Sequence, residues 1–221
     1  MSENPVAGTF TVENLLHNLY PIIQSELGDR QGEISAIADK IDSRMQQIMV
    51  QDGDLISDEP SRKYLGMTSL VLASFEALEP YFGDSNKRTE VIKEAMCQIL
   101  IPRVKQYVKD RFDVDASIPS EAFSKVSENF LKRGRQFLGD SFIYGEEPRG
   151  EGEHVFTVTR CFFFNFFKRH NLPELTGVFC ALDTIWAGEF NEGKYDIAFD
   201  RPTVMSRGDD VCRFHFVQTD E

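Results

Sequence analysis

The chain has 221 residues, 41% of them hydrophobic and 27% charged, which suits one main folded core and excludes a disordered chain. Its net charge of -12 is spread over both halves with no basic cluster, so neither nucleic-acid binding nor docking on an anionic membrane is expected. The four cysteines, Cys97, Cys161, Cys180 and Cys212, form no CxxC pair and are expected to be free thiols of a reducing compartment. The first residues lack the basic and apolar regions of a secretory signal, and no apolar run reaches the ~18 residues of a membrane span. A cytoplasmic protein is the expectation.

From Thr11 to about Val50, apolar residues recur at three- and four-residue spacing, which predicts two amphipathic helices broken near Gly28 to Gly32. The polar stretch from Gln51 to Pro60 reads as a linker, dividing a helical extension (1–55) from a main domain (56–221). Helices are then predicted over about Ser61–Tyr81 and Lys87–Phe112, the second kinked or restarted at Pro102 because proline lacks an N–H. Ser120 is placed to cap a further helix carrying Phe123, Val126, Phe130 and Leu131.

After Gly145 the pattern changes. His154–Thr159 is rich in β-branched and aromatic residues and reads as a strand. The Phe-rich run from Cys161 to His170 reads as a short buried helix, and Pro173 opens another from Glu174 to about Ala187. Tyr195–Phe199 and Val211–Val217 alternate across a turn containing Gly208 and read as antiparallel strands. The expected fold class is therefore α+β, an N-terminal helical region followed by a small antiparallel sheet packed with helices.

No phosphate-binding glycine loop, nucleophile elbow, zinc-protease helix or calcium loop occurs. The four histidines have no ligand spacing. Three cysteines, however, fall within the last 61 residues. Cys180 and Asp183 lie three apart, which on a helix puts thiol and carboxylate on one face. Cys161 stands at a strand-to-helix junction beside Arg160; a helix N-terminus and a guanidinium would together lower its pKa and favour a nucleophilic thiolate. Against this stands ordinary core packing, since free cysteine packs as a small hydrophobe. The rings of Phe162–Phe167 are likewise either core or the wall of a ligand pocket with Asn165 inside it.

The pieces Phe156-Thr157-Val158-Thr159-Arg160-Cys161, Leu172-Pro173-Glu174-Leu175, Cys180-Ala181-Leu182-Asp183, Phe190-Asn191, then Arg201, Gly208, Cys212 and Phe214 together resemble the C-terminal core of the L-2-amino-thiazoline-4-carboxylic acid hydrolase family. The helix with Leu70, Ala73, Phe75 and Leu78 extends the likeness to about residues 60–217. The resemblance implies a small-molecule hydrolase that opens a five-membered cyclic amidine. It carries the roles of catalytic residues to Cys161, Cys180, Asp183 and Cys212. A substrate carboxylate would fall to Arg160 or Arg201, with Asn165 and His215 as further substrate-binding positions where this chain departs from the family's charges. No metal or cofactor is expected on this reading. The alternatives are a zinc or iron–sulfur site built from Cys161, Cys180, Cys212 and Asp183, or a non-catalytic protein holding a hydrophobic ligand in an aromatic pocket. Residues 1–55 either pack on the same chain or pair two copies as a homodimer.

Overall fold

A computed structural model describes residues 10–27 and 31–219. The expected break near Gly28 lies partly outside them. Eight α-helices are described: α1 (Val12–Leu27), α2 (Gln31–Gln51), α3 (Glu59–Ala77), α4 (Ser85–Leu100), α5 (Val104–Phe112), α6 (Ala122–Leu138), α7 (Phe162–Arg169) and α8 (Thr176–Glu189). Four strands, β1 (Ile143–Glu147), β2 (Glu153–Arg160), β3 (Ile197–Asp200) and β4 (Cys212–Gln218), form an antiparallel sheet in the order β1-β2-β4-β3. The expected α+β class is what the chain adopts.

The boundaries follow local chemistry. Asp58 caps α3: its Oδ1 accepts from the Ser61 N–H at 2.7 Å while the Ser61 hydroxyl faces the Asp58 N–H at 2.9 Å, a reciprocal capping box. The second Asp58 oxygen accepts from the Asp140 N–H at 2.7 Å and so ties the start of α3 to the end of α6. Pro102 does restart its helix, through a 3₁₀ turn at Ile101–Arg103 between α4 and α5. The cap expected of Ser120 is absent; a 3₁₀ turn at Pro119–Glu121 leads into α6 instead. Strand β1 was not expected as a strand, because Gly145 and the acidic Glu146-Glu147 mask its alternation; it pairs with β2 through backbone bonds that any sequence can make.

Helix α3 is buried on nearly every face, from Tyr64 and Leu65 through Phe75, as a helix at the centre of a core must be. Leu15, Leu19 and Ile23 of α1 and Ile37, Ile41 and Ile48 of α2 are buried in the same core. Each contributes about 1.5–3 kcal/mol by leaving water. At the end of α2, the fully buried Asp52 accepts from His170 Nε2 at 2.8 Å and lies 3.1 Å from Arg169 Nε, joining this region to α7. That hydrogen bond occupies His170 structurally.

The sheet packs its inner face on α6 and α8. Along β4, Cys212, Phe214 and Phe216 point inward and alternate with half-exposed Arg213, His215 and Val217. The β2–β4 register sets Cys212 opposite Val158, three residues before Cys161. Phe130 of α6 stacks on Phe156 of β2 with ring centroids 4.2 Å apart, so aromatic packing fixes the helix layer against the strands.

Candidate active site

Three elements converge on one small cavity of about 80 Å³. Cys161 comes from the junction of β2 and α7, Cys180 and Asp183 from α8, and Cys212 from β4; all four line it, with Arg201 and Ser206 from the β3–β4 connection. On α8 the three-residue spacing puts Cys180 and Asp183 on one wall, as expected. A wider open cleft of about 580 Å³ adjoins this cavity and shares Cys180, Arg201 and Ser206 with it. Cys180 therefore stands between the solvent-facing cleft and the inner chamber. Lys93 and Arg207 add positive charge to the cleft wall.

Asp183 is held at both oxygens. Trp186, the chain's single tryptophan, donates from Nε1 to Oδ1 at 3.0 Å, and Arg201 Nη1 donates to Oδ2 at 3.0 Å. Arg201 is nine-tenths buried, lies 4.4 Å over the Phe214 ring, and its Nε has no hydrogen-bond partner among the described residues. Burial pushes the Asp183 carboxyl above the usual range, against the pull of the Arg201 charge and the Trp186 hydrogen bond.

Each thiol also has a donor directed at it. The Ser206 hydroxyl donates to Cys180 Sγ at 3.3 Å and the Met205 N–H to Cys212 Sγ at 3.3 Å. Burial nevertheless pushes both thiols up, the Asp183 charge adding to this at Cys180 while Ser206 and Arg201 oppose it. Cys161 is the N-cap residue of α7, where sequence reasoning expected a lowered pKa. Its thiol is instead pushed strongly up by burial, which outweighs the amides of Phe164 and Phe163. Arg160 does not help, because its guanidinium donates to the Asp140 carbonyl at the surface.

Asn165 is on the exposed side of α7 and does not line this cavity. His215 lies on the outer face of the sheet, 2.8 Å from Asp200 and 3.5 Å from Glu153. Neither they nor Arg160 join the group around Cys180. Among the described residues, no set of three or more His, Cys, Asp or Glu side chains is placed to hold a metal ion, and no helix is long and apolar enough to cross a membrane. Sequence reasoning missed Ser206, Lys93 and Trp186. For Trp186 a signal was present: an indole N–H one helical turn after an acidic residue is a donor in need of an acceptor.

An α+β chain with thiols, a carboxylate and an arginine around a small chamber is a candidate for small-molecule chemistry. The family model described as L-2-amino-thiazoline-4-carboxylic acid hydrolase matches residues 64–216, and the chain belongs to that family. Sequence comparison with curated proteins finds no match. Among solved structures, the H-NOX domain of Shewanella oneidensis in its Fe(II)CO state is similar at 11% identity with a TM-score of 0.37, over 94% of this chain and 98% of that one. An unliganded Fe(II) H-NOX protein of K. algicida is similar at 8% identity and TM-score 0.37, over 94% and 96%. Likeness at this level carries no argument about this chain.

Proposed function

We propose that this protein is a hydrolase of small cyclic amidines or thiazolines, with Cys180 as nucleophile. The observation that carries the reading is the position of Cys180 between the open cleft and the chamber that also holds Cys161, Cys212, Asp183 and Arg201. Family membership supports the substrate class.

In this mechanism the substrate's carboxylate sits in the cleft against Lys93 and Arg207, leaving Arg201 to orient Asp183. The Cys180 thiol loses its proton as its sulfur bonds to the amidine carbon, Asp183 accepting the proton through the pocket. The ring carbon–sulfur bond then breaks, the departing sulfur takes a proton, and water displaces Cys180 to leave a carbamoyl product with a free thiol. One water is consumed and no oxidant is needed. Asp183 suits a proton acceptor because burial raises its pKa toward that of the group it serves. Cys161 and Cys212 line the chamber beside Cys180, and the water that displaces it enters from the open cleft.

Acid quenching during turnover of 2-amino-thiazoline-4-carboxylate, followed by peptide mass spectrometry, tests the assignment. The expected result is an adduct on the peptide containing Cys180. An adduct confined to Cys161 moves the nucleophile, and turnover with no thiol adduct leaves an attacking water in its place.

A further inference from the structure

A second cavity of about 100 Å³ lies behind Asp183, away from the open cleft. Tyr64, Met67, Tyr107, Phe163, Phe179 and Trp186 form most of its wall, and Asp183 is the one ionised-type carboxyl among its lining residues. Leu138, Phe163, Phe179 and Asp183 line both this cavity and the thiol chamber. The two spaces therefore adjoin along these shared side chains.

The wall is built from rings held in fixed mutual geometry. Phe163 stacks on Phe179 with centroids 4.2 Å apart and planes 11° from parallel, and Tyr64 meets the edge of Phe163 at 5.2 Å. Most of the lining is aromatic ring or aliphatic side chain, so the space suits an apolar group. Its one carboxylate is already anchored by Trp186 and Arg201, and the Tyr64 hydroxyl donates to the Phe137 carbonyl, so the ring faces are left for apolar contact. An apolar wall with a few fixed polar groups is the composition of a small-ligand site.

We infer that this cavity is a subsite for a compact apolar group of the substrate, a branched alkyl group or a single aromatic ring attached to the heterocycle. The inference rests on the hydrolase reading for the word substrate. A space of about 100 Å³ is too small for a long acyl chain, and among the described residues no cation lines it to hold a second carboxylate.

Benzene is a probe that requires no turnover, and Trp186, the only tryptophan and itself part of the wall, reports on it directly. Titration of the full chain with benzene is expected to change Trp186 fluorescence saturably and to shift the Met67 methyl resonance. Leu138→Phe, which fills the space between the cavities, is expected to abolish both responses. Leu138→Ala, which enlarges it, is expected to retain them and extend binding to naphthalene, and keeps the test open should the larger side chain disturb folding. A 2-aminothiazoline bearing a phenyl group is expected to show kcat/KM at least about tenfold above the unsubstituted ring, since burying a ring contributes on this scale, and the ratio should fall towards one in Leu138→Phe. No saturable response to benzene, or the same response in Leu138→Phe, overturns the inference. Turnover without preference for the phenyl compound also overturns it and leaves the hydrolase reading standing. Benzene binding with no turnover of either compound supports the apolar subsite and overturns the hydrolase reading instead.

Discussion

Replacing Arg201 by methionine keeps most of its volume and removes its charge. Three interactions go with it: the 3.0 Å ion pair to Asp183, a longer hydrogen bond to the Cys180 carbonyl and the cation over the Phe214 ring. Breaking one side of a fully buried pair costs about 3–5 kcal/mol. Asp183 retains a third of its surface and its Trp186 hydrogen bond, which brings that figure to about 2–3 kcal/mol by partial solvation, and the lost cation–π contact adds roughly 0.5–1 kcal/mol. A loss near 3 kcal/mol in a chain of this length lowers Tm by about 6–12 °C. Urea and thermal denaturation measure it directly. The deficit should also depend on pH. Without the guanidinium, only the Trp186 hydrogen bond and the weaker pull of the Arg111 charge oppose the burial that already raises the Asp183 pKa. A carboxyl raised in the folded state contributes fully at pH below its unfolded value, and that contribution is lost as pH rises through the folded value. The variant should therefore be closer to wild type at pH 4 than at pH 8. In the double variant with Asp183→Asn the two losses should not add, with a coupling of about 1–3 kcal/mol. A deficit under about 1 kcal/mol, or additive losses, would refute the buried pair as described.

The value of kcat/KM should fall as the pH is lowered from neutrality, because Asp183 must be ionised to accept the Cys180 proton and burial holds its carboxyl above the usual range; a profile that stays flat into acid contradicts Asp183 as the proton acceptor. Asp58→Ala removes both the α3 cap and the acceptor for the Asp140 N–H, and chemical denaturation should show a loss of about 2–3 kcal/mol. Its neighbour Gly139 has φ of +66°, and an added Cβ would lie 2.2 Å from Asp58 Oδ2, so Gly139→Ala should destabilise by a comparable amount through strain and displacement of that carboxylate. Deleting residues 1–55 uncovers the faces buried by Leu15, Leu19, Ile23, Ile37, Ile41 and Ile48. At about 1.5–3 kcal/mol each their loss matches the whole stability of a typical domain, and calorimetry should find no cooperative transition.

The seven predicted helical ranges, one restarted at Pro102, cover the cores of all eight described helices, and three of the four strands were legible too, because each apolar stripe had to face the interior at a fixed spacing. β1 was hidden since its stability comes from backbone pairing to β2 rather than from side-chain alternation. For the site, spacing alone joined Cys180 to Asp183, whereas Cys161 and Cys212 met them only through sheet register and helix packing, which a single sequence does not encode visibly. The period-two rule puts His215, at an odd offset of three from Cys212, on the opposite face of β4; the resemblance drew it into the candidate set, and the fold returns it to the outer face. The expected activation of Cys161 failed for a physical reason: desolvation outweighs the helix N-terminus when the sulfur is enclosed.

If Cys180 reacts in a chamber completed by Asp183, steady-state turnover of 2-amino-thiazoline-4-carboxylate by wild type, Cys180→Ser and Asp183→Asn will reveal it. Both variants should keep the wild-type circular dichroism spectrum and lose at least about a hundredfold in kcat, the scale of a lost nucleophile or proton acceptor. Rates unchanged from wild type in both folded variants would contradict it.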